Sequence, residues 1–366
     1  MRHIQNLQGA ISRYNIFINL SFSVEESDIN RQRIVTLTAM TALEEPPHNW
    51  NTTPFASSLV SIGTHSLHLS ICGPPRQTSS QPLIVIFPGA GDIAASWLRV
   101  SRLVSSHFRL LLYDRSGFTN SEARPGGPPR QAAVTAAEEL RALLKATDLK
   151  PPYVLCAHSY GAIIAREFLH LAGEEVVGMV LADGSTERQN LFFKIPDEDA
   201  NTVCQGVNLA RVTGLREDSK LSREEWRERA ILISRGADAT LEEQSAFNEV
   251  CETLREKKQI EKRVLGERPL SVIRCSWKRD FEKMYQAGVE AGNGTVEQRR
   301  AVREMLDGWE DIDKDLKEEQ LKLSRNSRFV HLPDCGHNVQ LLRPDVVAEE
   351  IQWVMNSISK EPVALL

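Results

Sequence analysis

No stretch of this 366-residue chain approaches the eighteen or more consecutive apolar residues of a membrane-crossing helix, so no membrane span is expected. It also lacks a basic tract. Its 44 lysines and arginines are outnumbered by 49 acidic residues, and the net charge of −5 argues against a nucleic-acid partner. Close cysteine pairs are absent. Cys72, Cys156, Cys204, Cys251, Cys275 and Cys335 are scattered without a C-x-x-C, which signals neither a metal site nor a redox dithiol. Cys156 and Cys275 sit in apolar runs and read as buried, reduced core residues. The poorly patterned start, residues 1–51, lacks the small-residue cleavage site of a secretory signal. Its most apolar piece, Ile16 to Leu20, is interrupted by Asn19. An extension that packs loosely or is disordered, on a cytoplasmic protein, is the expectation. The glycine-rich Pro88-Gly89-Ala90-Gly91 has neither the lysine of a P-loop nor the G-x-G-x-x-G spacing, so no nucleotide or other cofactor is expected.

What is present is an ordinary globular composition, 41% hydrophobic and 25% charged, in a chain long enough to bury a sizeable core. Residues 59–63 and 66–71 alternate about a glycine turn like an antiparallel hairpin. Four largely apolar segments follow, at residues 82–87, 108–113, 153–156 and 176–182, the first of them unbroken. Each reads as a strand, and 82–87 as one covered on both faces. A helix-patterned segment follows each of the first three, as at Ala133, Ala137, Leu140 and Leu144. That rhythm predicts a mostly parallel α/β sheet. It stops at residue 184, resumes with strands at 269–275 and 329–332, and closes with a helix. The chain therefore divides into the extension 1–51, a first core part 52–183, a helical insertion 184–267 and a second core part 268–366. Within the insertion, Leu191, Phe192, Phe193 and Trp226 are candidates to line an apolar acyl site, or simply to pack the insertion.

The most informative stretch is Ala157-His158-Ser159-Tyr160-Gly161. An apolar run leads in and an amphipathic helix pattern leads out. Strand, sharp turn, serine at the tip, then helix is the geometry that exposes a nucleophile. Small residues must stand two positions away on either side, and Ala157 and Gly161 do. A serine hydroxyl needs a base, and the base needs an orienting carboxylate. His337, in a Gly-His loop after the last strand, is the expected base. His158 is expected to support the turn. For the acid, serine-acid-histidine order allows Asp280, after the 269–275 strand, or Asp183, at the end of the 176–182 strand. Asp280 is the first expectation and Asp183 the alternative. The backbone N–H groups of Tyr160 and Ala90, with Gly89 as fallback, are expected to hold the oxyanion.

Tyr113-Asp114-Arg115-Ser116-Gly117, the serine turn and Gly336-His337 together resemble the α/β-hydrolase superfamily, over about residues 59–358. The resemblance implies an α/β-hydrolase fold: an eight-stranded, mostly parallel sheet with the second strand antiparallel, helices on both faces and an inserted helical cap. It further implies cofactor-free acyl chemistry on a small-molecule acyl substrate. Pro88 stands where the family commonly has histidine, which matters little because the oxyanion donor is backbone. The core also resembles stand-alone hydrolases of fungal secondary-metabolite pathways. The expected activity is hydrolysis of an ester or thioester. Acyl transfer or ring closure on the same residues, or ligand binding without turnover, are the alternatives.

Overall fold

The apolar runs become the centre of one eight-stranded sheet. The structure, a computed structural model, describes residues 49–127 and 132–360, so the extension expected over 1–51 lies outside the described residues up to residue 48. Strands β1 (Phe55–Ser61) and β2 (Ser66–Cys72) form the expected hairpin. Then come β3 (Leu83–Phe87), β4 (Leu110–Tyr113), β5 (Tyr153–His158), β6 (Val176–Ala182), β7 (Leu270–Cys275) and β8 (Ser327–Leu332). Their spatial order is β1-β2-β4-β3-β5-β6-β7-β8. β2 is antiparallel to both neighbours, and all pairings from β4 to β8 are parallel.

Helices α1 (Leu98–Val104), α2 (Ala132–Ala146) and α3 (Gly161–Ala172) connect the first parallel strands. Between β6 and β7 lie α4 (Glu198–Val203), α5 (Leu209–Val212), α6 (Leu215–Asp218), α7 (Arg223–Arg235), α8 (Ala237–Ser245), α9 (Phe247–Glu256) and α10 (Gln259–Lys262). After β7 come α11 (Trp277–Glu290) and α12 (Val296–Glu319), and after β8 come α13 (Val339–Leu342) and α14 (Pro344–Lys360). A capping box starts α12. Thr295 accepts from the Gln298 backbone N–H, and Gln298 reaches back to the Thr295 N–H.

Every residue of β3, β4, β5 and β7 is buried, and the polar Ser271 and Arg274 of β7 are paired with Glu350 and with Asp313 and Glu310. The period of two along each strand divides their side chains between two cores. Leu83, Val85, Phe87, Leu155 and Ala157 pack with α2 and α3. Ile84, Ile86, Val154 and Cys156 pack with Val100 and Val104 of α1 and Val347 and Ile351 of α14. The helices between β6 and β7 dock on the loops leaving the carboxyl ends of β3 and β4. Arg229 of α7 reaches Asp92 and Ser96, and Glu243 of α8 reaches Gly91 and Arg115. The ends of the parallel strands, where open α/β sheets form their sites, thus lie under this insertion.

Candidate active site

β5 ends at His158 and α3 begins at Gly161, which leaves Ser159 and Tyr160 to make the turn. Ser159 has φ +51°, in the left-handed region, where strain of about 1–3 kcal/mol is typical. Its carbonyl accepts from the Ala162 and Ser185 N–H groups, both at 2.9 Å, and this holds the turn. A Cβ on Gly161 would come within 2.2 Å of the Phe87 carbonyl oxygen, so glycine lets α3 start hard against β3. Ala157 is fully buried inside β5, where its methyl packs in the core. The loop after β3 runs against the serine, because a Cβ on Gly89 would stand 3.1 Å from Ser159 Cβ.

His337 is brought to this turn by three contacts. His158 Nε2 donates to the His337 carbonyl at 2.9 Å. Burial, then the neighbouring His337, pushes the His158 imidazole down to about 3, so it is neutral and serves as a tether. The indole of Trp277 stacks on the His337 ring, with centroids 3.8 Å apart and planes 10° apart. The Nδ1–H of His337 donates to Asp183 Oδ2 at 2.5 Å. In the neutral ring that bond sets the tautomer in which Nε2 is the acceptor, as a base requires.

The carboxylate on the imidazole is therefore Asp183 and not Asp280, which the sequence put first. Asp280 lies in the first turn of α11 and accepts the His337 backbone N–H at 2.9 Å. It grips the main chain rather than the ring. The glycine before the histidine makes this possible, since a Cβ on Gly336 would fall 2.4 Å from Asp280 Oδ2. Asp183 directly follows β6, the strand beside β5, and like Ser159 it is left-handed, at φ +47°. Aspartate tolerates that conformation better than most residues.

Asp183 has a cationic neighbour that the sequence analysis missed. Its Oδ1 accepts the Cys275 N–H at 3.1 Å and lies 3.5 Å from Lys317 Nζ on α12. Lys317 is buried, donates to the Gly184 carbonyl at 2.8 Å and lies 3.7 Å from Asp313. Burial alone would raise the Asp183 carboxyl. Lys317 and the His337 bond outweigh it and hold the carboxyl well below the usual carboxylate range. Asp183 and Asp280 both bond His337, the neutral His158 ring packs beside it, and Lys317 stands behind Asp183 with Asp313. Lys317→Met should therefore weaken the depression of the Asp183 carboxyl, so that stability is lost at a higher pH on acidification than in wild type. Acid denaturation of the variant beside wild type checks this, and an unmoved acid midpoint contradicts it.

Both expected oxyanion donors are available. Among the described residues, neither the Tyr160 nor the Ala90 backbone N–H is engaged by an acceptor. Tyr160 opens α3, where unpaired N–H groups and the helix dipole favour developing negative charge. The fallback, Gly89, lies one residue earlier, with its carbonyl bonded to Arg115.

Of the four apolar residues singled out in the insertion, Leu191 and Phe192 are 58% and 46% exposed and line nothing internal. Trp226 packs under the Arg229 guanidinium. Phe193 is buried on Trp309, in an aromatic chain that runs through Phe281 to Trp277 and so to His337.

Residues 84–350 match the alpha/beta hydrolase family. The chain is 31% identical over 310 residues to a protein of Hormonema carpetanum named "Probable transporter efuK"; it covers 84% of the present chain but only 44% of that protein. It is 29% identical over 325 residues to an "AB hydrolase superfamily protein" of Gibberella zeae, across 84% of this chain and 98% of the other. Among solved structures, lip1 of Acinetobacter baumannii AYE superposes with a TM-score of 0.60 at 16% identity, over 86% of this chain and 94% of that one. At that identity the likeness concerns the fold. No helix among the described residues is long and apolar enough to cross a membrane.

Proposed function

Because this chain belongs to the alpha/beta hydrolase family, we propose that it is a serine hydrolase acting on an ester or thioester of a small organic molecule. Ser159 Oγ attacks the carbonyl carbon while His337 Nε2 takes the hydroxyl proton. Asp183 holds the imidazole in the reactive tautomer and stabilises its cation. The N–H groups of Tyr160 and Ala90 receive the negative charge on the carbonyl oxygen. Collapse of the tetrahedral intermediate expels the alcohol or thiol, which leaves with the proton from His337. Water then gives a proton to His337 and attacks the acyl-enzyme. Release of the acid restores Ser159.

The observation that carries this reading is the 2.5 Å bond from His337 Nδ1 to Asp183, with the His337 backbone tied through His158 to the turn that holds Ser159 at φ +51° before α3. Ser159 and His337 are only 9% and 8% exposed. That enclosure favours a small substrate over a polymer surface, and an acyl intermediate of secondary metabolism is the proposed kind.

A panel of esters and thioesters of graded acyl length tests the reading, with the products identified and an alcohol or amine acceptor added in parallel. The free acid should accumulate with or without acceptor. Diversion of most of the acyl group to the acceptor would indicate a transferase instead, and no turnover of any ester or thioester would contradict acyl chemistry. Phe193→Ala should open the aromatic chain behind Trp277. Chain-length preference is then expected to change by about 10–200-fold for a methylene-scale change in the pocket. The kcat/KM ratios across the panel give the answer, and an unchanged ranking places Phe193 in packing alone.

A further inference from the structure

Arg115 and Glu243 make a buried ion pair that the mechanism above does not use. Arg115 follows β4, and Glu243 belongs to α8 of the insertion, 128 residues away. Glu243 Oε1 accepts from Arg115 Nε at 2.6 Å, and Oε2 accepts from Arg115 Nη2 at 3.0 Å. Both side chains are nearly inaccessible to water. A pair that only tied the insertion to the core could end there. This one continues into the loop after β3. Arg115 Nη1 donates to the Pro88 carbonyl at 2.9 Å, and Nη2 donates to the Gly89 carbonyl at 2.7 Å. Glu243 Oε2 accepts the Gly91 N–H at 2.9 Å. The backbone on both sides of the Ala90 N–H is thus pinned, while that N–H has no acceptor among the described residues.

Peptide geometry gives this arrangement a direction. The Gly89 carbonyl and the Ala90 N–H belong to one peptide unit, and it is not among the cis bonds. In a planar trans peptide the two point opposite ways. A guanidinium that draws the carbonyl to itself therefore turns the N–H away from itself. It also polarises that amide, which makes the N–H a stronger donor. The planar fork of arginine can hold two successive carbonyls together with a carboxylate, whereas a lysine ammonium, as a point charge, cannot hold that pattern.

We propose that Arg115 and Glu243 are a positioning pair that aims the Ala90 N–H at the oxyanion and makes the oxyanion site depend on the docked helical insertion. The inference rests on the reading of Ser159 as nucleophile. Neither side chain needs to touch substrate. The charge at the reacting oxygen is met by an amide whose orientation is set by one residue of the core and one of the insertion.

The test uses the full chain with Arg115→Lys and Glu243→Gln, each measured per active site titrated with a fluorophosphonate, so that unfolded protein is not counted. Arg115→Lys should lower kcat about 10²-fold, the effect of losing one oxyanion donor, with KM changed less than about threefold. Glu243→Gln keeps shape and a neutral acceptor, and should fall between that variant and wild type. Affinity for an alkyl boronic acid, which becomes a tetrahedral anion on the serine, should fall in parallel with kcat. Affinity for the product alcohol should not change. A kcat per titrated site equal to wild type in both variants overturns the proposal, as does an equal loss of affinity for boronate and alcohol. A wild-type protein that takes no adduct at Ser159 overturns the nucleophile assignment itself. An adduct at Ser159 with insensitive variants overturns only the positioning role.

Discussion

Ser159→Ala should lower kcat by about a million-fold, the scale seen when a nucleophile is removed from a serine–histidine pair, and leave thermal stability nearly unchanged. The size follows from the mechanism, because without the hydroxyl no acyl-enzyme can form. The residual rate would come from the oxyanion donors and substrate binding. The small effect on folding follows from local geometry. The turn is held by the Ser159 backbone carbonyl, bonded to the Ala162 and Ser185 N–H groups, and an alanine keeps both bonds. Turnover of the best ester measured alongside a thermal melt checks the prediction. A folded variant with wild-type turnover would remove Ser159 from the mechanism.

Asp183→Asn should cost about ten-thousand-fold in kcat, because an amide facing Nδ1 favours the wrong imidazole tautomer. Asp280→Asn is expected to cost roughly tenfold or less, since the amide oxygen can still accept the His337 backbone N–H and only the charge-assisted part of that bond is lost. Comparison of the two single variants at the same pH separates the roles. A crippled Asp280→Asn beside an active Asp183→Asn would reverse them. Acidification carries the same information. The Asp183 carboxyl is depressed in the folded state, so its share of stability is present above the ordinary carboxylate range and is lost only as pH falls through the depressed value. Asp280 is shifted the other way, upward, chiefly by burial, and should take up its proton first.

The strands were legible because both faces of the sheet are covered, which writes β3, β5 and β6 as unbroken apolar runs. The serine turn was legible because its strain demands small flanks at fixed spacing. The acid was not, since Asp183 and Asp280 both satisfy the chain order. The distinction is spatial. Asp183 ends the strand beside β5, whereas the first turn of α11 aims Asp280 at a backbone N–H. The chain after Asp183 passes tight against α3, since a Cβ on Gly184 would stand 2.7 Å from that of Ala162, and this closeness too is tertiary. Lys317, Trp277 and Glu243 left no local trace. Each meets the site through tertiary contact alone, from a helix whose sequence carries no motif.

In the proposed mechanism Ser159 carries the acyl group while His337, held by Asp183, moves the proton. Mass mapping of the intact protein after a fluorophosphonate probe, and after rapid quench with a turned-over thioester, tests it most directly. One adduct of each kind should appear on the peptide containing Ser159, and both should be lost in Ser159→Ala and formed far more slowly in Asp183→Asn. A folded wild-type protein that forms neither adduct, or forms them on another residue, would contradict the account.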